Sequence, residues 1–200
     1  MAILDSPYLD EHEQTVCCCD PHSGLTAYIA IHSTTLGPAL GGCRMWPYAS
    51  EQDAIDDVLC LSRGMTYKAA VAGLDFGGGK SVIIGHPRDD KSTDLLLAMG
   101  RFVETLGGRY QTAEDVGTSV ADMAVLRRET RYAHGFANAA GEQCPATAYG
   151  VFVGLRAAVR HALERDDLNG LRVAVQGVGS PRPLWERGMP RGFRARAFQV

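Results

Sequence analysis

The chain has 200 residues, 46% of them hydrophobic and 22% charged, with 23 Gly and 9 Pro, which suits one ordinary core and excludes a disordered or fibrous chain. Its net charge of −3, from 20 basic and 23 acidic residues, is too balanced to steer it onto nucleic acid or an anionic bilayer, and a small neutral or zwitterionic ligand is the partner it suits. Apolar runs stop well short of the roughly 18 residues of a membrane helix. The start, MAILDSPYLDEHEQ, has no basic leader, so neither export nor a membrane span is expected.

His12 to Cys19 and Leu25 to His32 read as two strands of a hairpin around Asp20-Pro21-His22-Ser23-Gly24, a run of turn-forming residues. Ser50 with Asp53 opens a helix whose apolar Ala54, Ile55, Val58, Leu61 and Met65 recur at helical spacing; it should run to about Ala72 and close on Gly73. Gly77-Gly78-Gly79 reads as a loop, followed by a short buried strand, Ser81 to Gly85, so that Lys80 stands where the loop enters the strand. Ser92 or Thr93 caps a second helix ended by Gly107-Gly108, and Tyr110 to Ala113 is a strand. Ser119 with Asp122 opens a short helix. Pro145, at a first-turn position, opens a longer one to about Leu163, and Leu171 to Gln176 is a further strand. This alternation predicts an α/β fold with a mainly parallel open sheet and flanking helices.

Six cysteines, Cys17, Cys18, Cys19, Cys43, Cys60 and Cys144, include no C-x-x-C spacing. Neighbours in a strand point to opposite faces, so the triplet cannot converge on one ion; no metal site is expected, and the thiols read as small buried or half-buried hydrophobes in a reducing cytoplasm. Residues 181–200 hold five Arg against one Glu, with three Pro and two Gly, and carry no sustained apolar period. A packed element there is not expected.

Two lysines carry the chemical argument, because the chain has only three against seventeen arginines. A Lys ammonium can lose its proton when desolvated or set beside another cation, which a guanidinium cannot. Lys68, in MTYKAAVAG, and Lys80, in FGGGKSVII, should both be enclosed, whereas Lys91 lies in a charged loop. If the first two approach each other, one becomes a general base and the other stays cationic and binds a carboxylate. Asp115, at a strand end before Val-Gly-Thr, could exchange a proton with an amine. The plainer alternatives are a lysine snorkelling to water and an aspartate capping a loop.

Two glycine motifs fall short. Gly77-Gly78-Gly79-Lys80-Ser81 is not a P-loop, because position 74 is Leu and a strand follows where a helix is needed. Gly177-Val178-Gly179 after an apolar strand is the first half of a dinucleotide fingerprint, but the third glycine's position holds Arg182, flanked by Pro181 and Pro183.

Four separated motifs in order, within about His12 to Gly179, closely resemble the glutamate/leucine/phenylalanine/valine dehydrogenase family, with its leucine-type branch nearest. They are His32-Ser33-Thr34 with Leu36 to Met45 (LGPALGGCRM), Ser62 to Lys68 (SRGMTYK), Gly77 to Lys80, and Thr112 to Thr118 (TAEDVGT). The resemblance implies an N-terminal substrate domain, about 1–144, a hinge helix and the first strand of an incomplete Rossmann domain over 145–180, and an unrelated tail at 181–200. It implies NAD-dependent oxidative deamination of a branched-chain, leucine-like amino acid in a cytoplasmic homo-oligomer. Lys68, with the Gly41-Gly42 backbone, would bind the substrate carboxylate. Lys80 would be the general base and Asp115 the proton carrier at the amino group. Leu40, Met65 and Ala113 would line the side-chain pocket, and Thr147, Gly177 and Gly179 would meet the cofactor.

Family members run to about 350 residues, so the composition break after Ser180 reads as a truncation or a reading-frame change. The chain as it stands is expected to turn over little or nothing, with a non-catalytic amino-acid-binding or oligomer-forming remnant as the alternative. The strand from Leu171 to Gln176, short of sheet partners, should present an aggregation-prone edge.

Overall fold

A computed structural model describes residues 3–135, 143–176 and 194–198, with side chains at 3–135 and 149–174. The chain forms two compact units, 1–135 and 136–200.

In the first unit, β1 (Gln14–Asp20) and β2 (Leu25–Ser33) form the expected hairpin. The Asp20 carboxylate accepts from the His22 N–H at 3.1 Å and the Ser23 hydroxyl at 3.0 Å, and Gly24 takes the positive φ of 74° that closes the turn. There follow β3 (Ala39–Trp46), α1 (Glu51–Val71), β4 (Gly77–Ile84), α2 (Thr93–Thr105), β5 (Tyr110–Glu114) and α3 (Val120–Leu126). The five strands lie in the order β1-β2-β4-β3-β5. Since β2 is antiparallel to both its neighbours and β3 is parallel to both of its own, every strand but β2 runs the same way. The open, mainly parallel sheet expected from the alternation is therefore present.

The helices begin where their caps place them. Ser50, Ser92 and Ser119 each accept from the backbone N–H three residues on, and Asp122 returns the contact to Ser119, completing a capping box. The crossover β3-α1-β4 moves one way across the sheet and β4-α2-β5 moves back over β3. Crossovers of one hand that run in opposite directions put their helices on opposite faces. One face accordingly packs Ile29, Ile31, Cys43, Met45, Ile83 and Tyr110 against Leu95, Leu96, Met99 and Val103 of α2 and Met123 and Leu126 of α3. On the other face Ala54, Ile55, Val58 and Leu59 of α1 cover Tyr28, Ala30 and Val82, which belong to β2 and β4 only. Within the first unit no described helix covers the half of that face formed by β3 and β5, and Leu40, Gly42, Arg44, Gln111 and Ala113 there are all partly exposed.

Strand β3 carried no local signal strong enough to be predicted, and the glycine loop expected at 77–79 is instead the first half of β4. These glycines are strand residues because nothing larger fits. A Cβ on Gly77 would strike the Ser33 carbonyl, one on Gly78 the Thr66 hydroxyl and backbone of α1, and one on Gly79 would lie 2.7 Å from the Tyr110 ring. Gly41 on β3 is equally confined, its missing Cβ aimed at the Gly79 carbonyl.

The second unit contains α4 (Gln143–Leu163), β6 (Arg172–Gln176) and β7 (Arg194–Phe198). Two expectations are corrected. The tail holds a strand, and β6 has a partner, since β7 pairs with it in parallel from Arg172↔Arg194 to Gln176↔Phe198. A ladder satisfies backbone groups whatever the side-chain pattern, so five residues without a long apolar period can still form one. The cysteines also differ from expectation: Cys18 and Cys43 are buried, whereas Cys17, Cys19 and Cys60 are exposed. Among the described residues no helix is long and apolar enough to cross a membrane, and no three His, Cys, Asp or Glu cluster as metal ligands.

Candidate active site

Lys80 lies mid-strand on β4, on the face that α1 only half covers. The alternation that sends Ile83 into the α2 core sends Lys80 and Gly78 the other way. Its side chain is 7% exposed, and its Nζ lies 2.6 Å from Oδ2 of Asp115, the residue after β5. Arg44 of β3 reaches the same oxygen through Nε at 3.2 Å and donates through Nη1 to Oδ2 of Asp57 on α1 at 2.8 Å. Tyr48 Oη donates to that Asp57 oxygen at 2.6 Å. Tyr48, Asp57, Arg44, Asp115 and Lys80 thus form one continuous polar chain that ties α1, β3, β4 and the end of β5 together. Burial opposes ionisation of Asp115, but the adjacent Lys80 cation, its hydrogen bond and Arg44 outweigh that and hold the carboxyl below its ordinary value.

The loop carrying Asp115 is fixed at both ends. Thr118 Oγ1 accepts from the Asp115 N–H at 2.9 Å and donates to the Cys43 carbonyl at 2.7 Å, while the Met45 N–H donates to the Val116 carbonyl at 2.9 Å. Beneath the site, Tyr110 Oη donates to the Gly41 carbonyl at 2.8 Å and lies 3.0 Å from Ser81 Oγ and 3.2 Å from Thr112 Oγ1, hydroxyls able to donate to it. On the α1 side, His32 Nδ1 lies 2.9 Å from Thr66 Oγ1, and His12 Nε2 lies 3.0 Å from Ser62 Oγ. Burial, with the neighbouring His12, lowers the His32 pKa, so a neutral ring holds Thr66 where it overhangs Gly78.

Of the two lysines expected to be enclosed, only Lys80 is. Lys68 is exposed on the last turn of α1. A 21-residue helix with one face on β2 and β4 must turn its remaining positions to solvent, and the small residues around Lys68 do not cover it. The charge set against Lys80 is a carboxylate and not a second ammonium, which replaces the expected lysine couple with a lysine-aspartate couple.

Leu40 and Ala113 lie on the open half-face with Gly42, and Met65 is partly exposed on α1. A Cβ on Gly42 would sit 2.8 Å from the Asp115 Cβ, so the glycine leaves space beside that carboxylate. Gly41 is buried, with its carbonyl engaged by Tyr110. Gly177 and Gly179 lie outside the described residues, as does the side chain of Thr147, which belongs to α4. Sequence reasoning missed Arg44, Asp57 and Tyr48. The available signal was an arginine inside the otherwise apolar and small run ALGGCRMW. Such a cation on a strand facing a helix calls for a carboxylate on that helix.

A mainly parallel α/β domain that leaves half a sheet face open, and sets there a buried lysine, an ionised aspartate and apolar neighbours, has the groups needed to exchange protons with a small, partly apolar ligand. The family model described as "Glu/Leu/Phe/Val dehydrogenase, dimerisation domain" matches residues 12–132, and the chain belongs to that family. It is 57% identical over 182 residues to a leucine dehydrogenase of Thermoactinomyces intermedius, covering 90% of this chain and 50% of that protein. It is 60% identical over 171 residues to a valine dehydrogenase of Streptomyces virginiae, covering 84% and 48%. The crystal structure of L-tryptophan dehydrogenase from Nostoc punctiforme superposes with a TM-score of 0.67 at 42% identity, covering 95% of this chain and 54% of that one. The chain spans about half the length of the curated relatives it matches.

Proposed function

We propose that this chain is the amino-acid-binding and proton-handling part of an NAD-dependent dehydrogenase that converts a branched-chain, leucine-like L-amino acid to its 2-oxo acid and ammonia. The observation that carries this is the 2.6 Å contact between Lys80 and an ionised Asp115 on a half-face lined by Leu40 and Ala113. Residues 1–135 form the substrate unit in this reading. The exposed ammonium of Lys68 meets the substrate carboxylate, with the backbone at Gly41 and Gly42 close by, and Leu40, Met65 and Ala113 receive the aliphatic side chain. Without a charged partner in that lining, glutamate would leave a carboxylate unpaired.

Asp115 takes a proton from the substrate ammonium, which frees the nitrogen lone pair so that the α-carbon can give up its hydride. Lys80, once its ammonium proton has passed to solvent, takes a proton of the water that attacks the resulting imine; Asp115 returns its own proton to the departing nitrogen and, a carboxylate again, takes the hydroxyl proton as the carbonyl forms. NAD, when bound, supplies the hydride acceptor. The fingerprint for it is not met by this sequence, where Arg182 replaces the third glycine, and the roles assigned to Thr147, Gly177 and Gly179 rest on the resemblance alone.

Calorimetry with L-leucine and no cofactor tests the binding half. The chain should bind L-leucine, and Lys68→Ala should weaken it roughly 10- to 100-fold, the worth of one hydrogen bond to a charged group. No heat of binding, or no effect of Lys68→Ala, would remove the reading. The family description as a dimerisation domain further supports self-association. Sedimentation of the pure chain at micromolar concentration should show dimers or larger, and a monomer alone would contradict it.

A further inference from the structure

Cys17 and Cys19 are alternate residues of β1, both exposed, with their Sγ atoms 3.7 Å apart. Cys18, between them, turns to the opposite face and is fully buried in the α2 core, and burial pushes its thiol up to about 12. The strand therefore sorts three consecutive thiols into one inert sulfur inside and two in contact outside. Same-face Cα atoms on an extended strand are separated by about 6.4–6.8 Å. That is the upper end of the roughly 4.4–6.8 Å that a disulfide spans. The sulfurs must approach by about 1.7 Å more to reach a bond of roughly 2.05 Å. β1 is an outer strand whose backbone ladder, among the described strands, runs to β2 alone, so it can pucker to allow this without breaking a second ladder.

We propose that Cys17 and Cys19 form a reversible dithiol-disulfide couple oxidised by hydrogen peroxide. The Cys17 thiolate attacks one peroxide oxygen and the O–O bond breaks, giving a sulfenic acid and one water, which carries away the thiol proton. The Cys19 sulfur then displaces the sulfenic oxygen, which leaves as a second water with the Cys19 proton, and the S–S bond forms. Two thiols lose two electrons in all, and one peroxide is reduced. A low-molecular-weight thiol reverses the step by exchange. The hydrogen bond between the two sulfurs is the main reason the Cys19 thiol is raised, so Cys19 retains the proton that the departing oxygen needs.

The test treats the folded chain with one equivalent of hydrogen peroxide, alkylates the remaining thiols in denaturant and digests with trypsin. The first basic residue is Arg44, so one peptide carries Cys17, Cys18, Cys19 and Cys43. It should be lighter by two hydrogens and carry two alkyl groups fewer, and dithiothreitol should restore both. Cys17→Ser and Cys19→Ser, at exposed positions, should abolish the bridge, while Cys18→Ala should keep it. In the oxidised peptide, fragmentation should yield no backbone break between residues 17 and 19, a readout that stands even if Cys18→Ala does not fold. Full alkylation of all four thiols, a bridge surviving Cys17→Ser or Cys19→Ser, or a disulfide formed only between two chains would overturn the proposal.

Discussion

Gly78→Ala is expected to destabilise the chain by about 3 kcal/mol, at the upper end of what overpacking costs, while Gly64→Ala stabilises it by up to about 1 kcal/mol. One lies in α1 and the other in β4, and the space around each sets the sign. Gly64 is exposed in the interior of α1 with nothing within 4 Å of an added Cβ, so alanine removes backbone freedom from the unfolded chain and meets no obstacle. An added methyl at Gly78 would land on the Thr66 hydroxyl and backbone and on the Ser62 carbonyl. Two of these three are main-chain atoms, so no rotamer change relieves the clash and α1 must lift away from β4. Lifting α1 also uncovers Tyr28, Ala30 and Val82. Urea unfolding of the two variants and the parent measures this directly. A shift of roughly 10 °C in melting temperature should accompany the loss at Gly78. A Gly78→Ala midpoint equal to the parent's would show that α1 is not seated on β4 as described.

Asp115→Asn should cost about 3 kcal/mol, because it leaves Lys80 buried with no counter-charge. It should also flatten the acid limb of the stability curve. The folded-state pKa of Asp115 is depressed, so the unfolded chain binds its proton more readily. Its contribution is then complete above the unfolded value of about 3.9 and is lost as pH falls through the lower folded value. The parent should therefore lose stability below about pH 4 more steeply than Asp115→Asn, which starts lower but has no such group to protonate. Unfolding free energies from pH 7 down to pH 2.5 decide the matter. Parallel curves would mean that Asp115 is not held ionised by Lys80 and Arg44. The same variant should bind L-leucine less well, whereas Gly64→Ala should bind it as the parent does.

Arg44 connects these two expectations. It donates to Asp115 and to Asp57, so the carboxylate stays placed only while α1 stays seated. Displacing α1 through Gly78 therefore disturbs the Lys80–Asp115 pair even though an added Cβ there would meet Thr66 and Ser62 and neither member of the pair. For the same reason Tyr48, which donates to Asp57, helps to position the site without reaching it.

The sequence by itself determined the elements whose signals are local. Ser50 and Ser119, and the Ser92-Thr93 pair of which the structure selects Ser92, announced three helices because a cap and its N–H lie three residues apart on one segment. The hairpin was legible because Asp20, Ser23 and Gly24 make its turn among themselves. The alternation of strand and helix disclosed a mainly parallel sheet, and four motifs disclosed the family, including Lys80 and Asp115.

Only the tertiary structure decided what depends on distant neighbours. Gly77, Gly78 and Gly79 have poor strand propensity and read as a loop, yet they are strand because Ser33, Thr66 and Tyr110 leave no room for anything but hydrogen there. Lys68 and Lys80 look alike in sequence, but one is on the solvent side of a helix and the other under it. The partner of Lys80 comes from a loop 35 residues away, and β6 is paired by a strand drawn from a tail with no apolar period. Caps and periodicity are properties of a short stretch of chain, whereas burial and counter-charge are properties of the space that other stretches come to occupy.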